Sequence, residues 1–456
     1  MKENNIPVDL QCPVSYLLKN DREQEIAKGK AQAHIEKEKL SLLTETGEAL
    51  VFPFRDLLEI DDKDYHLFLG FTFDEQLELF NLGFKFDDFV RVLTKNYQEI
   101  ILQDMLVREK LRIKDIEANF TRFNPEGEQS SAGKCEVRVF ETSLAILPAR
   151  SRIIRIPLGR IQDVLPGNYS LTVTTDSGEK LLLSHLGNRL DEVQKVLTDA
   201  LQQLSLRTRS FLRELLPGED TLTIRKLTSL LKEGKIAGRK EIEAISTPVW
   251  QELERKISGS TLADEYEFLE SIGIKEKVAV GFKRGLLGGE KQDYFWYLIP
   301  LSGSKPGEPG NAVAFEAGTI HLPGEPGENP EESLLEQEGK ATYFFRLMPG
   351  EAYAALKDNA QWEHLLDELI IYINRCLQEV NFRREPIYLA EDKLSDPRYT
   401  KYKYAIHRLP ELRRLRDLFI GRVIHRSPEQ WQKDVEALVK VNRLSPGRQG
   451  EGERGE

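Results

Sequence analysis

The sequence contains two related stretches of 72 residues each. This duplication restricts the possible folds more than any other feature. Residues 29–100 align with residues 133–204 without a gap, at a constant offset of 104 positions. The 72 positions include 17 identities, whereas unrelated sequences of this composition would give about 4 to 5. The identities include Pro53 with Pro157, Tyr65 with Tyr169, and Gln98 with Gln202. The chain therefore carries two copies of one module.

The similarity also extends upstream of this stretch, since Asn20 and Asn124 stand at the same offset. The repeated unit is therefore about 90 residues long. Two copies are too few for a solenoid, in which stacked repeats share a continuous core. We expect each copy to close a core of its own.

The second copy shows the strand pattern most clearly. Short runs of β-branched and apolar residues are separated by turn residues, as in "CEVRVFE", "SLAILP", "RIIRIPL", "YSLTVTT" and "EKLLLSHL". Strands this closely spaced predict antiparallel pairing, because parallel pairing needs longer crossovers. From Leu190 onward, apolar residues recur at helical spacing, which predicts one amphipathic helix covering the sheet. Leu186-Gly187 suits a sharp junction from strand to helix.

A bent antiparallel sheet followed by one amphipathic helix resembles the pleckstrin-homology-like (PH-like) superfold, including its bacterial and GRAM-type members. The resemblance covers about residues 10 to 206 and rests on the order of elements and on the Leu-Gly junction. Another small barrel or an α+β sandwich is the alternative. The predicted fold class is thus α+β, with two tandem PH-like antiparallel barrels, each capped by a C-terminal helix.

The remainder of the chain predicts a helical segment and a third α+β domain. After residue 206, helical spacing is interrupted by glycine and proline, and from Lys275 strand patterns return before another amphipathic helix. The predicted domains are PH-like modules at 1–108 and 109–206, a helical linker or small bundle at 207–264, an α+β domain at 265–392, a basic helical extension at 393–444 and a disordered tail at 445–456.

The composition of the chain restricts the classes of partner that it can bind. The net charge of -11 opposes binding of the whole molecule to nucleic acid or to anionic membranes, so local patches decide such binding. No stretch has the length and apolarity of a signal peptide or a membrane span, which predicts a cytoplasmic protein. Its three cysteines, Cys12, Cys135 and Cys376, are far apart and predict no metal site, and no cofactor is expected.

The two modules differ in charge. Residues 29–100 hold 8 basic and 15 acidic side chains, a surface that would repel the anionic lipid headgroups that some PH-like domains bind. The second module is nearly balanced, and one candidate anion-binding patch stands out, formed by Arg150, Arg152, Arg155 and Arg160. Solvated charges on a turn and a strand face are the alternative interpretation.

A basic segment near the C-terminus is the clearest electrostatic feature of the chain. Residues 398–426 carry a local net charge of +7, with Tyr399, Tyr402, Tyr404 and Phe419 interleaved. The candidate residues are Arg398, Lys401, Lys403, Arg408, Arg413, Arg414, Arg416, Arg422 and Arg426. We expect this segment to dock on a protein, either a partner or the acidic first module of the same chain. Nucleic acid is the second hypothesis, an ordinary solvated helix without a partner is a further alternative, and a membrane is the least favoured.

Recognisable signatures of hydrolases, kinases, zinc proteases and dinucleotide-binding enzymes are absent from the sequence. His185 and His364 are interpreted as structural or solvent-facing rather than catalytic. The sequence therefore favours a non-enzymatic adaptor or scaffold that binds proteins through tandem PH-like modules. The alternatives are a nucleic-acid-associated protein that uses residues 398–426, and an enzyme without a recognisable motif.

Overall fold

The structure is a computed structural model, and it divides the chain into two compact units, residues 1–200 and 201–456. It describes residues 9–20, 24–71, 75–105, 109–148, 152–232, 234–260, 262–284, 293–303, 309–319, 341–356, 359–380 and 385–444.

The first unit begins with a seven-stranded antiparallel sheet of order β4-β3-β2-β1-β7-β6-β5. Its strands are β1 (Leu10–Lys19), β2 (Glu25–Ile35), β3 (Lys39–Thr44), β4 (Ala49–Pro53), β5 (Leu57–Lys63), β6 (His66–Phe71) and β7 (Gln76–Phe80). Alternate side chains enter the core, as Leu67 and Leu69 of β6 do. A single 3-10 turn leads into helix α1 (Phe86–Asp104), whose Phe89 and Leu93 close the same core.

A second seven-stranded antiparallel sheet follows, with the equivalent order β11-β10-β9-β8-β14-β13-β12. Its strands are β8 (Leu111–Phe123), β9 (Gln129–Phe140), β10 (Ser143–Pro148), β11 (Ile154–Pro157), β12 (Ile161–Gly167), β13 (Ser170–Thr175) and β14 (Lys180–Ser184). A 3-10 turn at Gly187–Arg189 leads into helix α2 (Leu190–Leu215). The predicted domain boundary at residue 206 falls inside this helix.

The two sheets correspond at the offset of 104 in fine detail. β3, β5, β6 and β7 have the same bounds as β10, β12, β13 and β14 once the offset is applied. The hairpin tyrosines, Tyr65 and Tyr169, both have positive φ values, 61° and 53°. The side-chain carboxamide oxygens of Asn20 and Asn124 accept from the backbone N–H four residues later, at 2.9 and 2.7 Å. The two copies form separate sheets, as the duplication predicts.

The two sheets are joined by α1, which packs on the outer face of β10. Gln98 Nε2 donates to the Pro148 carbonyl oxygen at 2.8 Å, and Leu102 packs in a small apolar cluster that includes Ala145 and Leu147. All six residues of β10 are buried because the core covers one face and α1 covers the other. On the equivalent strand β3, by contrast, Leu43 is 53% exposed.

The second unit combines helices with a six-stranded antiparallel sheet of order β15-β16-β17-β18-β19-β20. The strands are β15 (Ile236–Gly238), β16 (Ala279–Arg284), β17 (Asp293–Ser302), β18 (Pro309–Thr319), β19 (Ala341–Arg346) and β20 (Phe419–Ile424). The helices are α3 (Thr221–Leu230), α4 (Arg239–Glu243), α5 (Thr247–Ser258), α6 (Ala263–Ser271), α7 (Gly350–Ala355), α8 (Asn359–Gln378), α9 (Glu391–Leu394), α10 (Thr400–Arg408), α11 (Pro410–Leu418) and α12 (Pro428–Leu444).

Helices cover both faces of this third sheet. Residues from α3, α5, α6 and α12 share one core with the sheet, including Trp250 and Trp431. On the opposite face, Trp296 Nε1 of β17 donates to Asn374 Oδ1 of α8 at 3.1 Å. The predicted linker contributes β15 to the sheet, and the predicted basic extension contributes β20.

At the level of architecture, the predicted α+β class is confirmed, with two antiparallel sheets each followed by a helix. Among the described residues, no helix combines the length and the apolar character needed to cross a membrane.

Candidate functional site

The arginines predicted as an anion patch in the second module do not form one exposed surface. Arg150 lies outside the described residues, and Arg152 is exposed. The Arg155 side chain is only 8% exposed, and its Nη2 donates to Glu109 Oε1 at 2.6 Å. Arg160 is also largely buried, with its Nε 3.7 Å from Asp176 Oδ1. Arg155 and Arg160 are thus engaged with acidic residues of their own module.

Glu109 is the buried partner that sequence reasoning missed, because it lies 46 positions upstream of Arg155. Its Oε2 accepts from the Thr142 backbone N–H at 3.0 Å and from the Ser143 hydroxyl at 3.1 Å. Burial alone would raise the pKa of Glu109, but the Arg155 charge and these hydrogen bonds outweigh it and hold the pKa below its ordinary value. This ion pair anchors β10 and β11.

The predicted basic segment folds into α10, α11 and β20, and several of its cations are engaged close by. Arg398 donates to both carboxylate oxygens of Asp396, at 3.1 and 2.9 Å, which lowers the pKa of Asp396 to about 2. Arg416 donates to the Ile387 carbonyl oxygen at 2.9 Å and lies 3.1 Å from Glu391. Asp396 and Glu391 precede the basic window, so the window's net charge overstates the local potential.

The other predicted residues of this segment are distributed over several environments. Lys403 Nζ donates to Ser395 Oγ at 3.0 Å. The Lys401 side chain lies outside the described part of the structure, and the rest are half-buried (Arg408, Arg414) or exposed (Arg413, Arg422, Arg426). Phe419 stacks on Tyr388 with 4.2 Å between ring centroids, so it packs within the unit instead of being presented for base stacking.

An exposed aromatic surface on the first module was not predicted. The His66 ring stacks on Phe80, with 5.2 Å between centroids and 8° between planes, and it lies 6.2 Å from the Phe68 ring. These three rings lie on the outer face of β6 and β7, because the alternate residues Leu67 and Leu69 fill the core. Phe68 is 40% exposed. We call this set of residues, His66, Phe68 and Phe80, the aromatic face.

Carboxylates flank the aromatic face. Phe68 is paired across the sheet with Asp61 of β5 on one side and with Glu78 of β7 on the other. Glu78 Oε1 lies 2.6 Å from His66 Nδ1 and so fixes the orientation of the ring. The hairpin at 57–71 holds four carboxylates and one lysine, a net charge of -3. The surface therefore combines π faces with negative charge, which together attract guanidinium and ammonium groups.

The second module lacks this surface although its strands are equivalent. Thr172, Ser170 and Ser184 stand where the first module has Phe68, His66 and Phe80. The fold is thus compatible with small polar residues at all three positions. A position-by-position comparison of the two copies is the sequence signal that could have identified the aromatic face.

The second unit holds a buried polar cluster around His425. His425 Nε2 lies 3.0 Å from Glu316 Oε2 and 3.1 Å from Thr342 Oγ1, and its Nδ1 lies 3.3 Å from Glu265 Oε1. The Thr342 hydroxyl also donates to Glu316 and accepts from Trp431 Nε1 at 3.1 Å. The cluster connects the sheet to α6 and α12.

Burial controls the electrostatics of this cluster. It raises the pKa of Glu265, and the nearby Glu316 carboxylate adds to the effect, while the charge of His425 opposes it. Burial also raises the pKa of Tyr297, which lies beside Glu316 on the neighbouring strand. In the described part of the chain, the Tyr297 hydroxyl is buried without a hydrogen-bond partner.

The spacing of Thr342, His425 and Glu265 has the order of a nucleophile, a base and an orienting carboxylate. Thr342, however, is completely buried, and its hydroxyl is already bonded to Glu316 and Trp431. A substrate could reach it only if these contacts were broken. The arrangement therefore suits a buried hydrogen-bond network that holds the sheet and helices together better than it suits nucleophilic catalysis.

Across the residues that the structure describes, no group of three or more His, Cys, Asp or Glu side chains is arranged to hold a metal ion. The three cysteines are buried and unpaired, and burial raises the pKa of Cys12 to about 11 and those of Cys135 and Cys376 to about 12. Such thiols are poor nucleophiles near neutral pH.

Comparison with known proteins yields little. No protein-family model matches the chain, and no curated protein matches it. Among solved structures, the chain is similar to the C-terminal domain of an unknown protein from Leishmania infantum, at 14% identity and a TM-score of 0.19. That match covers 23% of this chain and 97% of the other.

Proposed function

We propose that this chain is a non-enzymatic adaptor that binds other proteins through tandem PH-like modules. Support for the PH-like assignment comes from the shared strand order, in which β1 and β8 lie at the centre of their sheets and a helix follows the last strand. Many PH-like folds bind proteins through sheet edges or the groove beside the helix, and a fold by itself does not specify a chemistry.

One observation carries the proposal: the two modules share a backbone plan but present different outer surfaces. The aromatic face of the first module is replaced by Thr172, Ser170 and Ser184 in the second. Because the equivalent sheet of the second module forms with small polar residues at these positions, the fold does not require three ring side chains on its outer face. A role in binding a partner accounts for the three rings on this outer face.

The chemistry of the aromatic face specifies the partner. An arginine stacked on Phe68 would lie between the carboxylates of Asp61 and Glu78, which flank this ring across the sheet. Gly70, the next outward-facing position of β6, has no side chain and leaves room for a backbone to approach. The partner is therefore an extended protein segment rich in arginine or lysine.

The joined modules suit an adaptor. The buried contacts of α1 with β9 and β10 hold the first module against the second. A partner bound at the aromatic face would thereby be held at a constant distance from the second module, which would raise its effective concentration near a protein bound there.

Fluorescence anisotropy with the full chain tests the proposal. The probes are a fluorescein-labelled peptide of alternating arginine and threonine and a matched peptide with glutamate in place of arginine. The key variant combines His66→Ser, Phe68→Thr and Phe80→Ser, the residues that the second module carries at these positions. Tyr169→Ala, at an exposed tyrosine of the second module, is the control.

The arginine peptide should bind the native chain, and the triple variant should weaken binding at least about tenfold, which corresponds to about 1.4 kcal/mol. The glutamate peptide should not bind, and Tyr169→Ala should have no effect. Equal affinity of the native chain and a folded triple variant would refute the proposal. Phe68→Thr alone serves if the triple variant does not fold.

A further inference from the structure

We infer that the chain self-associates head to tail, with α2 of one copy docking on the outer face of β3 in a second copy. The inference goes beyond the adaptor proposal because it concerns contacts between copies of this chain. It starts from the contact between the two modules, in which α1 packs on the outer face of β10. Both elements of that contact have repeat counterparts: α2 corresponds to α1, and β3 corresponds to β10.

Three residues form the centre of the contact between the modules. Gln98 is 6% exposed and donates to the Pro148 carbonyl oxygen, and Leu102 is 7% exposed. Leu147 of β10 is 1% exposed and belongs to the same apolar cluster as Leu102. Burying two leucines and satisfying a glutamine amide gives this contact both apolar area and orientation.

The repeat retains all three residue types where no such contact is made. Gln202, Leu206 and Leu43 stand at the positions equivalent to Gln98, Leu102 and Leu147. Gln202 is exposed, Leu206 is 54% exposed, and Leu43 is 53% exposed. A docking face on α2 and a receiving face on β3 are therefore both exposed, and they keep the glutamine and the two leucines that form the centre of the contact between the modules.

A second copy is the occupant that matches both open faces. An exposed leucine alone is ordinary, but here the glutamine and both leucines of one contact recur together. Docking of α2 of one copy on β3 of the next would repeat the contact seen between the modules. Such a contact joins two different surfaces, so it leaves one face open at each end and can continue into rings or filaments.

Differences between the copies make the new contact weaker than the one within the chain. The ion pair of Glu99 with Arg138 would be replaced by Gln203 and His34, and the apolar Phe140 by Glu36. The second copy is also not tethered. We therefore expect association that depends on concentration, in the range of weak, transient interfaces.

Sedimentation velocity of the full chain from about 5 to about 500 µM tests this, since weak interfaces form in that range. The native chain should shift to larger species as its concentration rises. Leu43→Asp and Leu206→Asp should each abolish the shift by burying an unpaired charge in the contact. Leu222→Asp, at a leucine that is 62% exposed on α3, is the matched control and should associate like the native chain.

Mixing the two variants gives the decisive measurement. The Leu43→Asp copy keeps an intact α2 face, and the Leu206→Asp copy keeps an intact β3 face. Each should be monomeric alone, and an equimolar mixture should form a dimer and nothing larger. A native chain that stays monomeric at the highest concentration would overturn the inference, as would variants that associate unchanged or a mixture that gives no dimer.

A gain of association provides an independent readout. Combining His34→Arg with Gln203→Glu places an arginine and a glutamate where the contact within the chain has Arg138 and Glu99. The combined variant should associate at least about threefold more tightly than the native chain at low salt, and the gain should fade at high salt. Unchanged affinity at low salt would contradict the inference that His34 and Gln203 face each other between the two copies.

Discussion

Arg138 Nη2 of β9 donates to Glu99 Oε1 of α1 at 2.7 Å, and this ion pair joins the two modules. The Arg138 side chain is 5% exposed, and its Nε also donates to Glu136 at 2.6 Å. Burial works against the charge of Arg138, but the hydrogen bonds and charges of Glu136 and Glu99 outweigh it and raise the pKa of Arg138. The arginine therefore stays charged although its own side chain is almost completely buried.

Replacing Arg138 with methionine should destabilise the first unit by about 3 kcal/mol, because Glu136 would be left as a largely buried, unpaired carboxylate. The matched control is Arg122→Met, since Arg122 pairs with Glu179 at 3.0 Å but is 39% exposed. That change should cost less than about 1 kcal/mol. Urea denaturation followed by circular dichroism measures the free energy of unfolding of both variants. Equal losses would mean that burial does not determine how much each ion pair stabilises the unit.

The module contact also marks the limit of what the sequence could predict. The duplication predicted two sheets and their helices, because the repeated apolar pattern fills both cores. It could not predict the pairing of Arg138 with Glu99, because their counterparts are His34 and Gln203. A contact made only once in the chain leaves no repeated pattern.

The charged sites show a related limit. The basic window at 398–426 has a net positive charge in the sequence, but the acids that engage Arg398 and Arg416 lie just before it. The His425 cluster gave no signal at all, because its residues come from distant parts of the sequence. Charge along a sequence does not report which partners the fold brings close.

Gly281→Ala should destabilise the second unit by about 1–3 kcal/mol through overpacking. A β-carbon at Gly281 would lie 2.6 Å from the Trp296 ring, which is held by its hydrogen bond to Asn374 and cannot move freely. Gly218→Ala is the control, because a β-carbon there meets no atom within 4 Å. Thermal denaturation should show a lowered midpoint for Gly281→Ala alone. A native-like midpoint would show that the indole ring yields.

Two substitutions in the third sheet, one on β17 and one on β19, compare a buried hydroxyl that lacks a partner with one that is hydrogen-bonded. Tyr297→Phe should be neutral or should stabilise the second unit by up to about 1 kcal/mol, because it removes a buried hydroxyl that lacks a partner among the described residues. Thr342→Val should cost about 1–3 kcal/mol, since it removes the hydrogen bond donated to Glu316 and takes away the acceptor of the buried Trp431 indole N–H. Chemical denaturation compares the two. A large loss for Tyr297→Phe would reveal an interaction of its hydroxyl.

The raised pKa of Glu265 predicts a pH dependence of stability. A carboxyl group whose pKa is higher in the folded state binds its proton more tightly when folded. The contribution of Glu265 to folding stability is therefore complete below its ordinary pKa of 4.5. This contribution is lost as the pH rises through the pKa of Glu265 in the folded state. The charged groups that influence Glu265 are His425, Glu316 and Asp264.

Glu265→Gln should remove this loss, because glutamine has nearly the same shape and cannot ionise. The stability of the variant relative to the native chain should therefore rise between about pH 4.5 and neutral pH. Glu267→Gln, which removes an exposed carboxylate from the same helix that is not among the groups influencing Glu265, is the matched control and should keep the native profile. Thermal midpoints measured at half-unit pH intervals in low salt give the comparison. Parallel profiles for Glu265→Gln and the native chain would show that Glu265 does not ionise differently on folding.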